Sequence, residues 1–170
     1  MSVLHATLEQ RLLALARRRD ELPQLLRGAR IEYFFTTKFN FGDTTPFPHD
    51  LFWWEGLDGS KVLAYSFDNR HAAYNGEMST EHLLDTWDNF KTKRLPVWGA
   101  KGPKSLYTFG YGDGGGGPNE EMIERFERLR DFPALPRLEM TRVDDFFDKL
   151  LRAAYPLGRA NSTPSFTGAL

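Results

Sequence analysis

The chain has 170 residues and no cysteine, so disulfide bonds, thiolate metal sites and a cysteine nucleophile are excluded. Hydrophobic residues make up 41% and charged residues 26% of the chain, which is typical of a soluble globular domain. The net charge of -1 argues against a nucleic-acid partner, and no apolar run reaches the roughly 20 residues of a membrane span. Since the N-terminus also lacks a signal-peptide core, we expect a cytoplasmic protein without nucleic-acid or membrane partners.

The first part of the chain is predicted to form a helix followed by three strands. Leucine side chains recur at helical spacing over residues 3–27, with Pro23 as a break. Aromatic and β-branched residues over 31–36 predict a buried strand. Two further strands, joined by a turn at Asp58-Gly59, are predicted at residues 51–55 and 61–67.

The second part is predicted to alternate helices with short strands. Ser79 or Thr80 would cap a helix over residues 79–93. The later predicted elements are a strand at 105–109, a helix from Pro118 to about Asp131, a strand at 137–141 and a helix at 144–154. This alternation predicts an α/β fold with mostly parallel strands. Residues 156–170 are rich in Ser, Thr, Gly and Pro, and we expect this tail to be disordered.

The most informative segment is the glycine run, Phe109-Gly-Tyr-Gly-Asp-Gly-Gly-Gly-Gly-Pro118. Asp113 is the only charged side chain inside it, and the run lies between a predicted strand and a predicted helix. Glycine accepts positive φ and lets a ligand approach the backbone closely. Because ligands of parallel α/β sheets bind at the carboxyl ends of strands, the run predicts a ligand site. The alternative is a flexible surface turn.

Two kinds of ligand fit this run. Gly110-x-Gly112-x-x-Gly115 matches the dinucleotide-binding fingerprint, and Asp131 lies near the expected distance for an acid that binds ribose. However, the Asp113 carboxylate would repel a pyrophosphate, and four consecutive glycines exceed what the turn needs. In the other interpretation, Asp113 is a catalytic carboxylate of a glycoside hydrolase. Enzymes of this class use two carboxyl groups, which flank the scissile bond.

The glycine run resembles a signature of the glycoside hydrolase family 38 α-mannosidases, in the branch that includes the cytosolic and vacuolar enzymes. Three further blocks resemble the family in the same order along the chain. They are Leu22-Pro23-Gln24 with residues 31–38, then Phe47-Pro48-His49 with residues 52–63, and Leu135-Pro136-Arg137 with Asp145-Phe146-Phe147.

The resemblance implies that residues 22–155 are the middle of a catalytic domain, part of a distorted β/α barrel with mostly parallel strands. Residues 1–21 would be a divergent N-terminal helix, and residues 156–170 the disordered tail. It also implies retaining hydrolysis of terminal α-mannosides or glycans through a covalent mannosyl-enzyme. The complete family enzyme holds one zinc ion, which grips sugar hydroxyls.

Carried onto this sequence, the resemblance makes Asp113 the candidate acid/base or a contact to a sugar hydroxyl. Its alternative role is to order the glycine run by accepting backbone N–H bonds. The candidate substrate contacts are Trp54, Asp58, Tyr111 and Lys38. Trp53 and Trp54 alternate along a strand, so at most one of them would face a sugar. Asp58, in Asp-Gly-Ser, is otherwise a turn residue.

The chain also departs from the family. The family's early His-x-Asp has no counterpart, and its Pro-Asp-x-Phe-Gly nucleophile motif is replaced by Ala-Arg-Arg-Arg-Asp-Glu at residues 16–21. Its late zinc-binding His falls where this chain has become the tail. We therefore predict no metal ligands here, and little or no activity without the missing parts of the domain as partners. The alternative is a non-catalytic carbohydrate-binding or interaction module.

Overall fold

The structure, a computed structural model, describes residues 21–40, 47–66, 74–99, 104–112, 116–158 and 165–167. Residues 3–20 of the first predicted helix lie outside these ranges, as does Asp113 of the glycine run. Within them, no helix is both long and apolar enough to cross a membrane.

A four-stranded sheet forms the centre of the fold. Its strands are β1 (Tyr33–Thr36), β2 (Leu51–Glu55), β3 (Lys61–Ser66) and β4 (Ser165–Thr167), in the order β1-β3-β2-β4. The central pair, β2 and β3, is the predicted antiparallel hairpin, while β1 pairs with β3 and β4 with β2 in parallel. The chain is thus mixed α/β, and two of the three strand pairs in the described sheet are parallel, with the predicted hairpin as the antiparallel pair.

Helices cover both faces of this sheet. Leu51, Trp53, Leu63 and Tyr65 point to one face and pack against α5 (Val143–Gly158), whose Phe147 ring stacks on Tyr33 at a centroid distance of 4.3 Å. The alternate residues of β2 and β3 point to the other face. They pack there against the side chains of α1 (Leu22–Gly28), Phe34, Phe39 and Phe47. Both faces of the sheet are therefore apolar, and alternate residues of β2 and β3 enter two different hydrophobic cores.

A long helical stretch connects β3 to the glycine run. Its first part, α2 (Thr80–Asn89), begins at Ser79, whose hydroxyl accepts a hydrogen bond from the His82 N–H at 3.2 Å, as the sequence predicts. The stretch continues through a π-helical turn at Phe90–Arg94 and ends with α3 (Leu95–Trp98). It therefore runs five residues past the predicted end at residue 93, because Pro96 occupies the first turn of α3 rather than a helix interior.

The π-helical turn presents Arg94 to a buried carboxylate. Arg94 Nε donates to both carboxylate oxygens of Asp50 at 2.9 Å, and Nη1 donates to the Lys104 carbonyl at 3.1 Å. The guanidinium lies 4.8 Å from the centre of the Tyr65 ring. Arg94 and Asp50 are both fully buried. The pair ties the start of β2 to the helical stretch and to the segment that leads into the glycine run.

Two predicted strands are absent. Residues 105–109 form only an isolated parallel bridge between Phe109 and Gly76, because the Leu106 N–H donates to the Tyr65 hydroxyl instead of to a strand. Residues 137–141 are not a strand either, since the Leu138 N–H donates to the Arg130 carbonyl and holds this segment against the end of a helix.

The other predicted helices form, with shifted ends. The predicted helix after the glycine run is α4 (Glu120–Leu129), capped by Asn119. Pro23 lies in the first turn of α1 and does not break it. The tail predicted to be disordered is partly ordered, because residues 156–158 complete α5 and residues 165–167 form β4.

Candidate functional site

Lys38 lies at the carboxyl end of β1, beside Tyr74. The Tyr74 hydroxyl lies 2.9 Å from Thr36 Oγ1 and accepts a hydrogen bond from the Thr37 N–H at 3.2 Å. The Lys38 ammonium lies 5.9 Å from the centre of the Tyr74 ring, within the range of a cation–π interaction. A hydroxyl, a phenol and an ammonium group therefore meet at one strand end.

The hydrogen bonds change the acidity of Tyr74. Burial alone raises the pKa of this phenol, but the hydrogen bonds from Thr36 and from the Thr37 amide, together with the positive charge of Lys38, outweigh it and lower the pKa below its usual value. In Tyr33 and Tyr65, by contrast, burial raises the pKa. Tyr74 therefore differs from Tyr33 and Tyr65 in having a phenol that its surroundings make more acidic.

We expect Tyr74 to ionise before Tyr33 and Tyr65 when the chain is titrated with base and tyrosinate absorbance is followed. Tyr74→Phe should remove the step at lowest pH, and Tyr33→Phe, the control, should remove a later one. Because ionisation of Tyr74 favours the folded state, stability should rise with pH from its lowered pKa up to about 10, the pKa of an unfolded tyrosine. A lowest step that survives in Tyr74→Phe would contradict this assignment.

The residues that follow Tyr74 bind the glycine run. We call residues 74–78 the bridging segment. The Gly110 N–H donates to the Gly76 carbonyl at 2.9 Å, and Gly76 forms the parallel bridge to Phe109. A Cβ at Gly76 would collide with the Tyr107 side chain and the Thr108 carbonyl. Glycine at position 76 is therefore needed for the close approach of the two segments.

The glycine run closes on itself. The Tyr111 N–H donates to the Gly117 carbonyl at 3.0 Å, which joins the two ends of the loop that contains Asp113. Gly110 has a φ of +120°, and a Cβ there would lie 2.6 Å from the Pro118 nitrogen. Only glycine fits that position. Gly116 is required for a similar reason, since a Cβ there would collide with the Tyr111 carbonyl.

Tyr111 presents an exposed ring beside the bridging segment. Its exposed fraction is 57%, the second highest of the large apolar side chains that the structure describes. Tyr111 borders a small open cavity of about 90 Å³, which is also lined by the polar residues Glu77, Asn119, Glu121 and Arg125. Lys38 thus lies beside Tyr74, at the start of the bridging segment, and Tyr111 lines the same cavity as Glu77, near its end. Asp113, two residues beyond Tyr111, lies outside the described residues.

The structure does not bring Trp54 and Asp58 to this place. Trp54 is only 2% exposed, with the rings of Phe34 and Phe39 at centroid distances of 5.9 and 5.7 Å. Asp58 lies at the hairpin turn, where its carboxylate accepts hydrogen bonds from the Ser60 N–H at 2.8 Å and the Ser60 hydroxyl at 3.1 Å. Their surroundings favour the core role of Trp54 and the turn role of Asp58.

The described residues do not fit a zinc site. No group of three or more His, Asp or Glu side chains among them could hold a metal ion. Burial lowers the pKa of His49 despite the opposing charge of Asp50, and His82 accepts a hydrogen bond from the Glu77 N–H at 3.5 Å. These two histidines lie in separate environments.

The structure does not provide the strand that the dinucleotide-binding interpretation of the glycine run requires. The fingerprint requires a strand directly before the glycines, and residues 104–112 form none. Sequence reasoning also missed Tyr74, Asn75 and the Asp50–Arg94 pair. The available signals were the Tyr-Asn-Gly sequence after β3 and the single acid directly before the apolar residues of β2.

Comparisons with known proteins agree with the resemblance of the sequence blocks. Residues 19–169 match the model of the glycosyl hydrolases family 38 N-terminal domain. The chain is 36% identical over 132 residues to alpha-mannosidase 2C1 of Mus musculus and 31% identical over 157 residues to alpha-mannosidase of Saccharomyces cerevisiae. These matches cover 78% and 89% of this chain, but only 12% and 14% of the length of the two relatives.

Proposed function

The chain belongs to glycosyl hydrolase family 38, and from this premise we propose that it forms the central part of the catalytic domain of a retaining α-mannosidase. The observation on which the proposal depends is the family match over residues 19–169, supported by relatives named alpha-mannosidase. The proposed substrates are terminal α-mannosides, free or on glycans. A cytoplasmic location belongs to the proposal as well and depends on the resemblance to the cytosolic branch.

We propose that the sheet is one sector of the family's distorted β/α barrel. The parallel strands β1 and β3 end side by side, with Thr36 paired to Ser66. In barrels of this kind the active site lies at the carboxyl ends of parallel strands. Lys38 and the partner of its side chain, Tyr74, lie at this end of β1, which supports its assignment as the sugar-binding edge.

Asp113 is the proposed acid/base of the reaction. A retaining enzyme uses two carboxyl groups about 5 Å apart, of which one protonates the leaving oxygen and the other attacks the anomeric carbon. In the second form of the proposal Asp113 binds a sugar hydroxyl. The nucleophile and the residues that hold zinc, which binds sugar hydroxyls when present, would come from the parts of the domain that residues 22–155 lack.

The proposed roles of Lys38, Tyr74 and Tyr111 follow from their chemistry. The Lys38 ammonium donates hydrogen bonds to sugar hydroxyls, and the Tyr74 oxygen, with its lowered pKa, accepts one. The exposed Tyr111 ring offers an apolar surface on which the C–H face of a sugar can stack. Trp54 and Asp58 remain substrate contacts only if other parts of the domain rearrange the core and the hairpin turn.

A chimeric enzyme tests the proposal. Residues 22–155 would replace the matching segment of the Saccharomyces cerevisiae alpha-mannosidase, which supplies the missing parts of the domain. We expect the chimera to hydrolyse an aryl α-mannoside and to release α-mannose first, as retention requires, whereas the 170-residue chain alone should not hydrolyse it. Proton NMR of the anomeric signal measures both. A folded chimera that binds mannose without hydrolysis would favour the carbohydrate-binding alternative, and one that does neither would refute the proposal.

A further inference from the structure

The glycine run contains two kinds of required glycine. Gly110 is required by its own backbone, since its φ is +120° and a Cβ would meet the backbone of Gly117 and Pro118 at 2.7 and 2.6 Å. Gly112 has a φ outside the left-handed region, so its backbone would accept other residues. A side chain at position 112 is excluded for another reason, which lies in the bridging segment.

Asn75 occupies the space above Gly112. The three atoms nearest to a Cβ at Gly112 all belong to the Asn75 carboxamide, with Oδ1 in collision and Cγ at 3.3 Å. Oδ1 is buried and has no hydrogen-bond partner in the part of the chain that the structure describes. A buried acceptor without a partner costs free energy. The position of Oδ1 against the Gly112 backbone therefore indicates that Asn75 has a structural role that offsets this cost.

The position of Asn75 in the chain indicates that role. Its neighbour Tyr74 is held at the end of β1 through Thr36 and Thr37, and its other neighbour Gly76 accepts the Gly110 N–H. Three consecutive residues thus fix the glycine run relative to the strand end that carries Lys38. Asn75 is the member of this segment whose side chain contacts the run one residue before Asp113.

We propose that Asn75 is a positioning residue, whose carboxamide fixes the glycine run at Gly112 and thereby sets the separation between Lys38 and Tyr111. Its importance for sugar binding rests on the proposed function, but its contact with Gly112 does not. The Asn75 carboxamide fills the space that a side chain at position 112 would need. A weak Cα–H···O interaction between Gly112 and Oδ1 adds to this contact.

Compensating substitutions test the contact. Gly112→Ala should increase the hydrogen-exchange rate of the Tyr111 amide about tenfold or more, because the new Cβ displaces the carboxamide or the loop. Adding Asn75→Gly should return that rate to the value of Asn75→Gly alone. Gly110→Ala is the matched control, which Asn75→Gly should not rescue. If Gly112→Ala fails to fold, folding of the double variant is the expected rescue, and failure of both would overturn the proposal.

Two further readouts separate a positioning role from general stabilisation. Asn75→Gly should speed exchange at the Tyr111 and Gly110 amides, by less than Gly112→Ala does, while the Leu63 amide, which donates to the carbonyl of Glu32 just before β1, stays unchanged. Equal acceleration at all three would overturn the proposal. In the chimera, Asn75→Gly should raise KM more than it lowers kcat, and unchanged KM and kcat would also overturn it. An inactive chimera together with an intact exchange cycle would refute the proposed function alone.

Discussion

Replacing Asp50 by alanine is expected to lower the free energy of unfolding by about 3–5 kcal/mol, the cost of breaking a buried ion pair from one side. The Arg94 guanidinium is fully buried, and its Nε donates to both oxygens of the Asp50 carboxylate at 2.9 Å. Without that carboxylate, its charge would remain buried against the Tyr65 ring and the Lys104 carbonyl. Urea denaturation followed by tryptophan fluorescence measures the change.

An exposed ion pair provides the matched control. Arg128 and Glu124 lie one helical turn apart on α4 at 2.9 Å, with both side chains more than half exposed. Glu124→Ala should therefore change the free energy of unfolding by no more than about 0.5 kcal/mol. A second variant, Asp50→Leu with Arg94→Met, removes both charges and should recover most of the stability lost in Asp50→Ala. Equal costs for Asp50→Ala and Glu124→Ala would contradict the buried pair.

The hairpin could be predicted from sequence because its determinants are local. Asp58-Gly59 marks the turn, where Gly59 has a φ of +81°, and the flanking residues have strong β propensity. The cap at Ser79 and the helix after Asn119 are local in the same sense. The Asp50–Arg94 pair was missed because it joins residues 44 positions apart, and its geometry depends on a π-helical turn that no local pattern marks.

The two strands that did not form show the limit of propensity. Residues 105–109 have the composition of a strand, but the Leu106 N–H donates to the Tyr65 hydroxyl, and the N–H of Gly110, the next residue after the segment, donates to the Gly76 carbonyl. Whether a neighbouring strand is available is a property of the whole fold. The same holds for β4, which pairs with β2 although its sequence, Ser165–Thr167, indicated disorder.

The candidate site was predictable in part. The resemblance indicated Lys38 and Tyr111, and the structure places Lys38 beside Tyr74 and Tyr111 at the same cavity as Glu77, while their contact with a sugar stays a prediction. The period-2 pattern could not tell whether Trp54 faces a sugar or a second core, since both faces of β2 are apolar. Tyr74 and Asn75 were missed because their importance comes from contacts with Thr36 and Gly112, far away in the sequence.

In the chimera, Asp113→Asn is expected to lower kcat/KM for methyl α-mannoside by about 10²–10⁴-fold, the usual contribution of a general acid. Asparagine keeps the size of the side chain but cannot supply a proton. Asp58→Asn is the control. Its side chain belongs to the hairpin turn, so the rate should remain close to that of the unmodified chimera.

The leaving group separates the two proposed roles of Asp113. Dinitrophenyl α-mannoside has a leaving group that needs little protonation, so a variant that lacks only the general acid should cleave the first bond of this substrate almost normally. The covalent intermediate should then accumulate, because the same residue is missing as the base of the second step, and a burst of dinitrophenol should precede slow turnover. If Asp113 instead binds a sugar hydroxyl, both substrates should lose the same factor without a burst. Normal rates for both substrates would exclude Asp113 from the reaction and leave it the role of ordering the glycine run.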